Sequence, residues 1–282
     1  MSDGETGAGL PATRWGAVPE LTLLAEERGG LAVYSLPTFL SFGVDAFFTT
    51  RAGGVSHPPY DELNLGAHVG DDPEAVRENR IRVAAAAGVE LNHLVIPRQV
   101  HGSAVAAITG PADDVEADAL QTRDDDVALA ILVADCVPLL IADAFTNQFA
   151  VVHAGWRGLA ANVIAATVAQ FPDSTTLYVA VGPHIAPARY QVGSDVATHF
   201  AQVPGALRDD QSPDDQPRYL LDLSAVVRQQ LTALRVPASQ VFFAPLSSSD
   251  APFFSDRAAR PCGRFALVAR RAKYDDAVVT AL

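Results

Sequence analysis

Apolar residues along this chain come in short runs separated by turn-forming residues, and the spacing inside each run predicts the element it forms. Two β-like runs, 31–36 and 44–50, flank a short turn and lead into Arg51-Ala52-Gly53-Gly54-Val55-Ser56, a loop whose glycines allow close approach to a ligand. Asp71-Asp72-Pro73-Glu74 then offers acidic N-cap candidates and a proline for the first turn, and Val76, Val83, Ala84 and Ala87 share one face before Gly88, which predicts a helix. Short apolar runs at 94–97, 104–108, 127–133, 139–142 and 149–152 read as buried strands.

A run of Ala, Val, Leu and Ile over 158–171, stopped by Pro172, predicts a well-buried helix, and 177–181 returns as a strand. Leu223, Val226, Val227, Leu231 and Leu234 recur at helical spacing within 222–234, and 264–269 alternates as a final strand. Residues 203–218, rich in Asp, Gln, Gly and Pro, are expected to form an exposed loop. Residues 1–30 carry no sustained period and are expected to be loosely held, with one compact domain over 31–282. No internal repeat is present. The succession mixes helices and strands without regular βαβ alternation, so it predicts an α+β (mixed α/β) layered fold rather than a doubly wound sheet or a barrel.

With 49% hydrophobic and 19% charged residues, the composition excludes a mostly disordered chain. A net charge of -13, with Arg270-Arg271-Ala272-Lys273 as the nearest approach to a basic cluster, argues against nucleic acid and for a small-molecule partner. Two cysteines, Cys136 and Cys262, are too few for a disulfide framework. An acidic N-terminus without an apolar run, and the absence of any uninterrupted stretch of about 20 apolar residues, give the expectation of a cytoplasmic protein with no membrane partner.

Three motifs stand at the ends of apolar runs: Arg98-Gln99-Val100-His101-Gly102, Ala134-Asp135-Cys136-Val137-Pro138 and His153-Ala154-Gly155-Trp156-Arg157-Gly158. Each contains a potential metal ligand, but His101, Cys136 and His153 are too widely spaced for a finger or ribbon site, so only the fold can unite them. Singly, each has a plainer reading, the histidines as hydrogen-bonded core residues and the cysteine as a small buried hydrophobe. Gly102 and Gly155 beside the ligands favour the shared site, because close approach needs bare backbone.

Those motifs do not stand alone. Phe48-Thr49-Thr50-Arg51-Ala52-Gly53-Gly54-Val55-Ser56, Leu63-Asn64-Leu65-Gly66, His68-Val69-Gly70-Asp71-Asp72, Gln99-Val100-His101-Gly102, Ala134-Asp135-Cys136, His153-Ala154-Gly155-Trp156-Arg157-Gly158-Leu159 and Phe253-Phe254-Ser255-Asp256-Arg257 occur in one order across roughly residues 40–270. Together they resemble the YfiH-like family once called multicopper polyphenol oxidases and now described as purine nucleoside phosphorylases with adenosine deaminase activity. The resemblance implies mixed β-sheets packed between helices and a zinc ion held by His101, Cys136 and His153. It implies phosphorolysis of adenosine, inosine and methylthioadenosine, and deamination of adenosine to inosine. The chain departs from the family at Ala188-Arg189 and Leu246-Ser247-Ser248-Ser249, where many members carry cysteines.

Multicopper oxidation fails a count, since its three-copper cluster needs roughly eight histidines beyond a blue-copper site, whereas this chain has seven His, Met1 as its one Met and no His-x-His pair. Copper remains the alternative metal for a His-Cys-His site, given its high raw affinity. Within the motifs, Asp135 beside Cys136 is the candidate general acid or base, although strand alternation equally suits a structural role. Arg51, Arg98 and Arg157, with His68, are the candidates for phosphate, and Trp156 is a candidate for purine stacking. Two other readings stay open: a hydrolase editing cell-wall precursors with Cys136 as nucleophile, and a metal-binding protein without turnover.

Overall fold

A strand that is apolar at every position must be covered on both faces, and the centre of this molecule is built from such strands. The computed structural model describes residues 19–211 and 218–273. Its strands are β1 (Leu24–Arg28), β2 (Leu31–Ser35), β3 (Val44–Thr49), β4 (Leu94–Val95), β5 (Val105–Ile108), β6 (Ala119–Thr122), β7 (Ala128–Val133), β8 (Val137–Asp143), β9 (Phe149–Ala154), β10 (Leu177–Val181), β11 (Gln191–Gly193), β12 (Leu207–Asp209), β13 (Arg218–Leu221), β14 (Val241–Phe243) and β15 (Phe265–Arg271). Its helices are α1 (Pro37–Leu40), α2 (Pro73–Ala86), α3 (Trp156–Ala160), α4 (Val163–Val168), α5 (Ser194–Ala197) and α6 (Leu223–Ala233).

Two six-stranded mixed sheets result, in the orders β1-β2-β3-β15-β7-β4 and β14-β10-β8-β9-β6-β5, with a small sheet β11-β13-β12 beside them. Period-two alternation assigns their side chains to three cores. In β7, Leu129, Ile131 and Val133 face the second sheet and meet Leu140, Val151 and Ala180, whereas Ala128 and Ala130 face outward against Val83 and Ala84 of α2. In β8, Leu139 and Ile141 turn the other way, toward Leu159, Val163 and Ile164 of α3 and α4 and Val226 and Leu231 of α6. The layers are therefore α2, sheet, sheet, and α3 with α4 and α6. Among the described residues no helix is long and apolar enough to cross a membrane.

The α+β layered fold expected from the element succession is the one observed, with corrections of detail. Residues 24–28 are not loosely held: β1 pairs with β2 along its whole length, and Leu21 is 1% exposed. Residues 1–18 of that segment lie outside the described residues. The helix expected over 158–171 is split into α3 and α4 at Asn162, which adopts φ 61. The loop expected at 203–218 contains β12, and residues 212–217 of it lie outside the described residues. Strands β6, β11, β13 and β14, each three or four residues long, were not read from the hydrophobic pattern.

Candidate metal centre

Strand register brings two of the three ligand candidates together. Val137 pairs with Ala154 across β8 and β9, so Cys136, one residue before β8, lies beside Gly155, one residue after β9, with His153 the last residue but one of that strand. His101 arrives from the loop between β4 and β5, at φ 60. A non-glycine residue in that conformation persists only where its surroundings hold it, and here the holder is Asp118. Its carboxylate, 0% exposed, accepts the backbone N–H of His101 at 2.9 Å and of Gly102 at 2.6 Å, and more weakly that of Val100 at 3.3 Å.

Asp118 also accepts Nδ1–H of His153 at 2.8 Å. One carboxylate thus fixes the His101 loop and, by engaging Nδ1, turns the Nε2 lone pair of His153 toward the group, an arrangement typical of metal-ligating histidines. The candidate ligand atoms of His101, Cys136 and His153 lie within 4.8 Å of one another, with 4.0 Å between His101 Nε2 and Cys136 Sγ. Tetrahedral zinc would place such atoms about 3.5 Å apart, so a small inward adjustment closes the site. A Cβ added at Gly155 would meet Cys136 Sγ at 2.9 Å and His101 Cδ2 at 3.0 Å, so the approach depends on the missing side chain.

Electrostatics suit a cation. Burial pushes the Cys136 thiol up, but His153 and His101 more than reverse this and bring it to about 6. Burial pushes His153 down, and Cys136 and Asp118 overcome it, raising it to about 9. Burial likewise pushes Asp118 up, and the hydrogen bonds from His153 and from the Gly102 and His101 amides hold it below the usual carboxylate range. Without a metal, then, the proton sits on His153 and the sulfur is thiolate. A thiolate and two imidazoles form a donor set that fits a borderline-soft divalent metal, and the group could hold one.

The group opens into a cleft of about 1790 Å³ whose wall includes His68, Trp156, Arg157 and Tyr190. Arg157 lies over the Trp156 ring, 4.3 Å from its centroid, and makes no ion pair among the described residues. Arg98 reaches the cleft paired with Glu116. Two candidates are placed differently. Arg51 is outside the cleft wall: its guanidinium binds the Asp61 carboxylate at 3.0 Å and the Asp61 carbonyl at 2.9 Å and lies over Phe254, which pins two loops together. Asp135 lines the cleft, but its carboxylate is committed to the hydroxyls of Ser248 and Ser255 and the N–H of Arg257, so it anchors the 248–257 loop rather than serving as a free base.

Asp118 was not singled out from sequence. The signal available was an acid between Ala117 and Ala119 at the mouth of an apolar strand, a position a carboxylate tolerates only with several donors around it.

Comparison with known proteins agrees with the architecture. A family model described as multi-copper polyphenol oxidoreductase laccase matches residues 45–272. A Shigella flexneri protein named purine nucleoside phosphorylase YfiH is 39% identical over 228 residues, 79% of this chain and 92% of that protein. A Pseudomonas aeruginosa protein named purine nucleoside phosphorylase PA4543 is 40% identical over 225 residues, 79% of this chain and 91% of that one. The crystal structure of YlmD from Geobacillus stearothermophilus superimposes with a TM-score of 0.81 at 31% identity, covering 90% of this chain and all of that one. On the extent of these matches, the chain belongs to the multi-copper polyphenol oxidoreductase laccase family.

Proposed function

We propose that the protein is a zinc-dependent purine nucleoside enzyme. It cleaves adenosine, inosine and methylthioadenosine with phosphate and deaminates adenosine to inosine. The observation that carries this reading is the His101, Cys136 and His153 group facing a cleft wide enough for a nucleoside and an oxyanion together, in a chain whose relatives are named purine nucleoside phosphorylases. His101, Cys136 and His153 would hold the zinc, which when bound supplies Lewis acidity at the fourth coordination position. Asp118 keeps His153 in the tautomer that presents Nε2 and fixes the His101 loop. Arg157 and His68 on the cleft wall supply donors for the anionic and hydroxyl groups of the substrates, and Trp156, half-buried, offers a ring face for the purine. The expected setting is the cytoplasm, with nucleosides and phosphate as partners.

The test is direct. Zinc-loaded protein incubated with adenosine and phosphate should release adenine, hypoxanthine or inosine, and none of these above the level of a His101→Ala control would sink the proposal.

One observation favours a second reading, a hydrolase of cell-wall precursors with Cys136 as nucleophile. A thiolate at about 6 beside a protonated His153 is also the pair that cysteine nucleophiles use. Stoichiometric zinc that disappears in Cys136→Ala supports the first reading, whereas protein purified without metal but inactivated by alkylation supports the second.

A further inference from the structure

One face of α2 forms part of the cleft wall. Pro73, Val76, Arg77 and Arg80 all line it, at the spacing that puts residues on a single helical stripe. Arg80 is half-buried, and its Nε and Nη2 donate to the Leu65 carbonyl at 3.0 and 2.8 Å. Its Nη1 has no partner, and neither Arg80 nor Arg77 forms an ion pair among the described residues.

That is unexpected in this chain. It carries 33 carboxylates against 20 Lys and Arg, yet the cleft wall has seven arginines against five carboxylates. A partly desolvated guanidinium without a counter-charge costs free energy that a neighbouring carboxylate would ordinarily offset. His68 lies in the same electrostatic neighbourhood: burial, then the charges of Arg264 and Arg80, hold its basicity down. Arg264 is less available than Arg80, because its Nη2 faces Asp256 at 3.3 Å and its Nη1 donates to the Cys262 and Gly263 carbonyls. Local positive charge is therefore concentrated at Arg80, with Arg77 one turn away and His68 beside them as a neutral N–H donor, and among the described residues no carboxylate pairs with either arginine.

We propose that Arg80 and His68, flanked by Arg77, form an oxyanion subsite that takes inorganic phosphate as co-substrate. The assignment rests on the phosphorylase reading above and deepens it. The Leu65 carbonyl fixes one edge of the Arg80 guanidinium, which leaves Nη1 oriented in advance toward a tetrahedral anion, and His68 contributes one further N–H.

Inorganic phosphate is titrated calorimetrically into the zinc-loaded full chain, and KM is measured separately for phosphate and adenosine. Arg80→Lys, which keeps a donor for Leu65, and His68→Gln, a change at an exposed side chain, should each raise the phosphate Kd and KM by about tenfold or more while adenosine KM moves by less than about threefold. Thermal unfolding establishes that each variant is folded, and His68→Gln with Arg77→Gln answers the question if Arg80→Lys is not. Phosphate binding unchanged in folded variants overturns the subsite. So does tight binding of adenosine 5′-monophosphate, lost in the variants, with no binding of inorganic phosphate by the parent protein. If the parent binds phosphate through Arg80 and His68 but cleaves no nucleoside, the phosphorylase reading falls while the anion site stands; nucleoside cleavage with an unaltered phosphate KM means the reverse.

Discussion

Replacing Asp118 with Asn tests whether one buried carboxylate assembles the centre. One oxygen accepts from His153 Nδ1 at 2.8 Å and the His101 amide at 2.9 Å, and the other from the Gly102 amide at 2.6 Å and the Val100 amide at 3.3 Å. Asparagine has the same shape but only one acceptor oxygen, so either orientation points its NH2 at two N–H donors. If the NH2 meets Gly102 and Val100, the His101 loop loses its hold. If it meets His153, that ring must present Nδ1 as acceptor and protonate Nε2, the nitrogen needed by the metal. Hydrogen bonds to a charged acceptor contribute about 1.5–3 kcal/mol each, and either orientation gives up one well-formed bond, from Gly102 or from His101, so Asp118→Asn should lose at least about 1.5–3 kcal/mol of stability. Zinc affinity should fall about 10–100-fold, the usual consequence of removing a carboxylate behind a ligating histidine. Urea denaturation of the metal-free protein reads the first number, and competition for zinc with a chromophoric chelator reads the second. A folded variant that binds zinc within about twofold of the parent, at an unchanged unfolding midpoint, would refute the reasoning.

Gly155→Ala should destabilise the protein by about 1–3 kcal/mol and weaken zinc binding, since the new methyl would lie 2.9 Å from Cys136 Sγ; equilibrium unfolding and chelator competition are the measurements. In metal-free protein the Cys136 thiolate is already formed at about 6, so its iodoacetamide alkylation rate should be nearly flat from pH 7 to about 8.5 and be suppressed by stoichiometric zinc, as followed by mass spectrometry of the labelled peptide. His184 is held below the ordinary histidine value of 6.5, chiefly by burial, so the unfolded chain binds its proton more tightly. Its contribution is intact above about 6.5 and is lost as pH falls below that value; the drop in urea midpoint between about pH 7.5 and 5 should shrink in His184→Asn. Arg51→Ala should lower the melting temperature while leaving phosphate KM within about twofold, because Arg51 binds Asp61 and Phe254 outside the cleft.

Much of the fold was legible because the central strands are long enough to declare themselves. β7 is apolar throughout, and β8 and β9 are so apart from Asp143 and His153, as strands buried between two covered faces must largely be, and α2 carries its caps in the sequence. Alternation could not be seen there, since Leu139 and Leu140 point into different cores and yet are equally buried. β1 reads Leu-Ala-Glu-Glu-Arg and is strand through pairing with β2 at the edge of a sheet, not through any apolar pattern of its own. Asn162 breaks the helical run over 158–171 by its backbone conformation, which a tally of helix-forming residues does not register.

The candidate site divides along the same physical line. Residues whose chemistry depends on identity, a thiol and two imidazoles, could be picked out one by one, and the register of β8 with β9 together with the Asp118 clamp converts them into a set. Residues whose role depends on partners could not. Asp135 and Asp118 are both acids beside a ligand motif or an apolar strand, and only their donors separate them: two hydroxyls and one amide for Asp135, a histidine and the ligand loop for Asp118. Arg51 and Arg80 divide in the same way, one answered by Asp61 and the other by a carbonyl alone. For a charged side chain in an acidic protein, the informative quantity is therefore the charge it fails to meet inside the fold. At Arg80 that unmet charge faces the same cleft as the His-Cys-His group, where a substrate can supply it.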